Sequence, residues 1–148
     1  MPETLLRNTF HVPAPPAAVL AHLSEPASYV GLSPLVVEVR EVRREPDGVR
    51  YTCVERFRFL GLLRYDNHIE VTLRPTRDGV AGEVDSPGGV RLAYRFALSG
   101  RDGGTEVRDE LRVRAAFGPL LRYAARKARE VQLARAGVLA ARAPALRA

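Results

Sequence analysis

The chain has 148 residues, 46% of them hydrophobic, and a single cysteine, Cys53; that fits one domain with its own core and excludes an internal disulfide framework or a cysteine-rich metal site. It opens Met1-Pro2-Glu3 without a basic stretch followed by an apolar one, and no apolar run reaches the ~18 residues of a membrane span, so a cytoplasmic setting with neither leader nor membrane span is expected. The formal charge of +6 is concentrated at one end: from Arg122 onward seven basic residues meet one acid, Glu130, whereas the 16 arginines before them are balanced by 16 acids.

Thr4 to Val12 reads as a first strand, with Leu6, Phe10 and Val12 apolar at period two. Pro13-Ala14-Pro15-Pro16 breaks it. Ala17 to Leu23 reads as a short helix, and Ser24 is placed to cap a second one running through Pro26 to about Val30. From Leu35 the period is two. Leu35 to Arg43 is a strand whose apolar face switches near Arg40, which signals a bulge. Pro46-Asp47-Gly48 turns. Val49 to Phe59 alternates, with Tyr51, Cys53, Glu55, Phe57 and Phe59 on one face. Leu60-Gly61-Leu62 reads as an apolar hairpin tip that folds over a cavity mouth or meets a partner. Arg64 to Arg74 places Tyr65, Asn67, Ile69, Val71 and Leu73 on one face. Val80 to Val84 is a short strand, and Ser86-Pro87-Gly88-Gly89 turns. Leu92, Tyr94, Phe96 and Leu98 share a face of the next strand. The turn Gly100 to Gly104 leads to a last strand with Val107, Asp109, Leu111, Val113 and Ala115 on one side.

Phe117 to about Arg142 is the longest element. Pro119 suits the first turn of a helix, with Gly118 as its cap, and strong helix formers follow. Phe117, Leu121, Ala124, Ala128, Val131, Ala134 and Val138 recur at a spacing of three to four and form its apolar face. Six strands joined by short turns form an antiparallel meander, greasy on one side only. The long helix is the only element large enough to cover that side.

The order strand, two short helices, six-strand meander and long C-terminal helix resembles the helix-grip fold of the START-like, or SRPBCC, superfamily, which includes polyketide cyclases and lipid-transfer domains. Phe10-His11-Val12-Pro13-Ala14-Pro15-Pro16-Ala17-Ala18-Val19 is similar to the family's opening strand and proline-marked entry into the first helix. Asp102-Gly103-Gly104-Thr105-Glu106-Val107 is similar to the turn before its last strand. The resemblance implies an α+β fold: a seven-stranded curved antiparallel sheet gripping the helix within residues 1–142, followed by a short tail, 143–148. It also implies an apolar cavity between sheet and helix; the helix's inward face is rich in the small residues Ala124, Ala125 and Ala128, which either let it pack close or leave room for a ligand.

Chemistry is sought where polar residues interrupt an apolar face. Glu55, Asn67, Asp109 and Tyr94 do so. If Ser99 pairs with Gly104, Tyr94 lies opposite Asp109, and the preceding hairpin sets Glu55 beside Asn67 or one step from it. Neither carboxylate has an evident cation, so Asp109 and Glu55 are the candidate catalytic acid/base groups, with a ligand-orienting or structural role as the alternatives. Tyr94, Asn67, Tyr65, Tyr51, Phe57, Leu111, Ala124 and Ala128 are the candidate ligand contacts. The expected partner is a hydrophobic or aromatic small molecule, with no cofactor. As an enzyme the chain would be a cyclase, aromatase or dehydratase; otherwise it would be a lipid or isoprenoid carrier. A third reading is an interaction module using the basic stripe Arg122, Arg126 and Arg129, with Lys127 beside them, which otherwise is a solvated outer face with Arg126 pairing Glu130. A homodimer is compatible with the sequence. No aromatics interleave the stripe, so nucleic acid is not expected. His11, His22 and His68 do not cluster, so no metal is expected.

Overall fold

The computed structural model describes residues 2–59, 63–86 and 88–146. The elements run β1 (Glu3–Val12), α1 (Pro16–Leu23), a 3₁₀ turn (Pro26–Tyr29), β2 (Val36–Glu45), β3 (Gly48–Phe59), β4 (Leu63–Pro75), β5 (Gly79–Ser86), β6 (Val90–Arg101), β7 (Gly104–Ala115), α2 (Gly118–Arg142) and a final 3₁₀ turn (Ala143–Leu146). The seven strands form one antiparallel sheet in the order β1-β7-β6-β5-β4-β3-β2. This is the expected α+β helix-grip architecture. The hairpin tip expected at residues 60–62 and Pro87 of the Ser86–Gly89 turn lie outside the described residues.

Local chemistry accounts for the joints. β2 carries register shifts between Val36 and Glu38 and between Arg40 and Arg43, with Glu41 at φ 54°, which is the bulge expected near Arg40. The β6–β7 hairpin closes on Asp102 and Gly103, both at positive φ (51° and 75°), and these set a two-residue turn. Gly100 therefore belongs to β6, paired with Thr105. The second short helix is a 3₁₀ turn, Pro26–Tyr29, with Glu25 and not Ser24 at its N-cap. The Ser24 hydroxyl donates to the Leu20 carbonyl at 2.7 Å and closes α1. Phe117 rather than Gly118 is the residue at the N-cap of α2.

Strand faces alternate as the sequence reads: Val107, Asp109, Leu111, Val113 and Ala115 of β7 are buried and the residues between them exposed. The outer face is laced with exposed ion pairs such as Arg95–Asp78 and Arg114–Glu3, each of small worth to stability. On the inner face α2 lies against β7 and β1 and not over the whole sheet. β3, β4 and β5 curve away from it, and the space left between is where the site lies.

The far end of α2 is held to the α1 region. Arg142 donates to the Ser28 carbonyl at 2.6 Å, to the Val30 carbonyl at 2.9 Å and to His22 Nε2 at 3.0 Å. The chain beyond it is also engaged, since Ala143 is buried in the core and Leu146 packs on it. With Nε2 accepting from a guanidinium, the His22 proton sits on Nδ1 and points to Ser28 Oγ, 3.2 Å away. Partial burial, and then the Arg142 charge, push the His22 pKa below its ordinary 6.5. The unfolded chain then binds the extra proton more readily, so this contribution to stability is complete above pH 6.5 and is lost as pH falls below it. Thermal unfolding followed from pH 7.5 downward is expected to show a falling midpoint below about 6.5, and His22→Asn is expected to flatten that limb.

Candidate functional site

Between α2 and the curved half of the sheet lies a cavity of about 230 Å³. Its walls are mostly apolar: Phe57, Ile69, Val71, Val84, Leu92 and Leu111 from the strands, Leu120, Ala124, Ala128 and Val131 from α2, and Leu35 and Val36 from the segment after α1. Of the sequence candidates, Glu55, Asn67, Tyr94, Tyr51, Phe57, Leu111, Ala124 and Ala128 all face it. Tyr65 and Asp109 do not. Tyr65 pairs with Phe57 across β3 and β4, ring centroids 6.5 Å apart, but it is 55% exposed and lies outside the cavity lining.

Asp109 departs from expectation in its partner. Its carboxylate receives two hydrogen bonds from Arg135 of α2, Nε at 2.7 Å and Nη2 at 2.5 Å, and both side chains are buried. Burial works against the Arg135 cation, Asp109 outweighs it, and the guanidinium holds its proton more firmly than usual. The rings of Phe96 and Tyr94 lie 4.7 and 5.2 Å from the guanidinium carbon, within cation–π range. Gln132, one turn earlier, donates to the backbone carbonyls of Leu6 and Asp109 at 3.2 and 3.1 Å. Asp109 is thus a neutralised, enclosed carboxylate, and the expectation that it lacks a cation is corrected. The buried stripe of α2 is Ala128, Gln132, Arg135 and Leu139, rotated by about one position from the Val131, Ala134, Val138 line that hydropathy selects. Arg135 escapes a hydropathy reading; the signal was its position seven residues after Ala128, two turns along the same face.

The β6–β7 register also differs. Phe96 pairs with Asp109 and Tyr94 with Leu111, two residues in sum from the pairing built on Ser99 and Gly104, because the turn takes up only Asp102 and Gly103. The shift is even, so every side chain keeps its face. Tyr94 turns across β5, where Gly82 is its partner; a Cβ at Gly82 would stand 2.2 Å from Tyr94 Cζ, so glycine is what admits the ring. There Tyr94 joins Tyr51 and Tyr29. Tyr29 donates its single proton to the Leu23 carbonyl at 2.6 Å. Tyr94 also interacts with both Tyr29 and Tyr51. All three phenols are driven upward by burial; Tyr94 reaches only about 12 because the Arg135 charge opposes the effect. One wall of the cavity is thus a cluster of three neutral phenols, anchored through Tyr29 to a backbone carbonyl.

On β3 and β4, Glu55 and Asn67 are directly paired. Asn67 donates to Ser86 Oγ at 3.2 Å and also bonds Glu55. Burial raises the Glu55 pKa, and the Asn67 bond opposes it only in part. This carboxyl, unlike Asp109, faces the cavity without an ion-pair partner among its perturbing groups. Cys53 also faces the cavity, but burial pushes its thiol up to about 12, which suits a core residue and not a nucleophile.

The basic stripe is partly consumed by the fold. Arg129 donates to the Arg7 carbonyl and to Gln132, both at 2.7 Å. Glu130 pairs with Lys127 at 3.5 Å, not with Arg126, which stands over the Tyr123 ring. Lys127, read from sequence as part of the outer face, lines the cavity.

No family model and no curated protein matches the chain. Solved structures match it closely in fold. A START superfamily protein from Mycobacterium smegmatis has a TM-score of 0.76 at 15% identity, covering 96% of this chain and 98% of that one. The Zhui aromatase/cyclase from Streptomyces sp. R1128 has a TM-score of 0.73 at 14% identity, covering 97% and 94%. The di-domain aromatase/cyclase StfQ of the steffimycin biosynthetic pathway has a TM-score of 0.74 at 9% identity, covering 96% of this chain and 51% of that one.

Two substitution sets separate the ion-paired carboxylate from the one facing the cavity. Asp109→Ala strands a buried guanidinium and is expected to cost about 3–5 kcal/mol in urea unfolding, whereas Asp109→Leu combined with Arg135→Met is expected to recover most of that loss. Glu55 behaves oppositely with pH. The folded state holds its proton more tightly than the unfolded chain, so its contribution is complete below pH 4.5 and is lost as pH rises through the higher folded pKa. The midpoint difference between Glu55→Gln and wild type is expected to grow in favour of the variant as pH rises from 4.5.

Proposed function

We propose that this chain, which has the helix-grip fold of START-like proteins, binds a hydrophobic or aromatic small molecule in the cavity between sheet and α2. The observation that carries this reading is a mostly apolar cavity with few polar groups in its lining, among them Glu55 and Asn67 on one wall and the Tyr29, Tyr51 and Tyr94 cluster on another. Pockets with that division use apolar area for affinity and sparse polar groups for orientation. An apolar cavity of about 150 Å³ takes benzene, so 230 Å³ suits a ligand of one or two rings better than a long acyl chain. This favours an aromatic ligand over the lipid-carrier alternative.

Proton transfer at Glu55 is the second part of the proposal. A carboxyl whose pKa is raised by an apolar wall is suited to general acid or base work near neutral pH. Tyr94 and Tyr51, held protonated, would hydrogen-bond a ligand carbonyl and stabilise enolate charge as it develops. The cavity would meanwhile fold a flexible substrate and exclude water. That chemistry needs no cofactor and matches the aromatase/cyclase class to which two of the similar structures belong. Asp109 has no part in it, since its charge is already spent on Arg135.

Native mass spectrometry after gentle purification is expected to find an aromatic ligand on the wild type. Ala124→Leu fills the cavity without losing helix propensity, so it should abolish binding and leave the unfolding midpoint nearly unchanged. With a poly-β-ketone substrate, Glu55→Gln is expected to lower turnover by roughly 10²–10⁴-fold while sparing binding. Equal rates for the variant and wild type would remove Glu55 from the reaction.

A further inference from the structure

The chain contains 22 arginines and one lysine, and that lysine lines the cavity. Lys127 follows Ala124 by three residues and precedes Val131 by four, so it shares the cavity-facing side of α2. Helical side chains lean toward the N-terminus of their helix. The Lys127 stem therefore runs back over Ala124 and Tyr123, both of which border the cavity. Its side chain is 42% exposed, which puts the ammonium at the mouth and not in the interior.

The charges around it leave this ammonium free to act on a ligand. Arg135, the other cation of the lining, is neutralised by Asp109. Glu55 is perturbed by burial and Asn67 and not by Lys127, so the lysine is not its counter-ion. Glu130 stands 3.5 Å from Nζ but is itself 60% exposed, and an exposed i,i+3 pair of this kind holds a flexible lysine only weakly.

We infer that Lys127 makes the cavity selective for amphipathic anions: an apolar ring body seated against the strands, with a carboxylate or similar acidic group at the mouth paired to the ammonium. This rests on the cavity-binding reading and adds the charge class of the ligand to it. The sequence placed this lysine with the outward arginine stripe; the cavity assigns it to the ligand.

A pair of probes that differ in charge and hardly in shape tests it: 2-naphthoate and 2-naphthamide. The chain has no tryptophan, so naphthalene emission can be followed against a tyrosine-only background. Wild type is expected to prefer naphthoate, and high salt is expected to narrow the preference. Lys127→Gln should reduce the naphthoate-over-naphthamide ratio by roughly fivefold, the size expected when one charge-assisted contact at a wet mouth is lost, with naphthamide affinity held within about twofold. Glu130→Gln, which frees the ammonium, should raise the ratio. Naphthamide binding with no preference in wild type, or a ratio unchanged by Lys127→Gln, overturns the inference and leaves the cavity reading standing. Binding of neither probe to wild type overturns both.

Discussion

The buried Asp109–Arg135 pair sets the distance between the long helix and the sheet. Its two hydrogen bonds, at 2.7 and 2.5 Å, tie α2 to β7, and Gln132 ties the same stretch to the backbones of β1 and β7. Removing one partner would leave a charge in an apolar interior, which is far more costly than the pair itself is stabilising. The helix therefore cannot settle closer to the sheet without breaking these contacts. The cavity lies along the N-terminal side of α2, where Leu120, Ala124, Ala128 and Val131 face it.

Polar groups around the cavity divide into two kinds as a result. Those that face each other across the helix–sheet contact are satisfied by the fold and serve geometry. Others face the cavity, among them Glu55, Asn67 and the three tyrosines. The same logic separates two carboxylates that look alike along the sequence. Asp109 is opposed by a guanidinium from the helix; Glu55 is opposed by an amide from the next strand, and burial raises its pKa. Only the second faces the cavity.

At the rim the roles of the cations follow from reach. Arg129 is drawn onto the β1 backbone and Arg142 onto the α1 region. Arg135 is enclosed. The helix that carries the chain's whole net charge in sequence thus presents much less of it to solvent than a count of residues suggests. Lys127 alone combines a position on the cavity side with a partly exposed ammonium.

The sequence by itself determined the order of elements, the strand faces and the bulge near Arg40, because side-chain alternation and turn residues are local properties. It also determined most of the cavity wall, since Tyr51, Glu55, Phe57, Asn67, Tyr94 and Leu111 follow from face alone, and face survives an even register error. Tertiary structure decided what depends on distance between elements. Hydropathy placed Arg135 off the apolar face of α2, although its helical position puts it inside, and only the docked helix shows that Asp109 awaits it there. The register of Tyr94 depended on whether the last turn used two residues or four. Tyr65, on the correct face, sits outside the cavity near the end of the β3–β4 ladder, where its side chain is 55% exposed. Lys127 passed for a surface charge because its helix position lies at the border between the buried and solvated sides, and a border residue is assigned only when the opposing wall is in place.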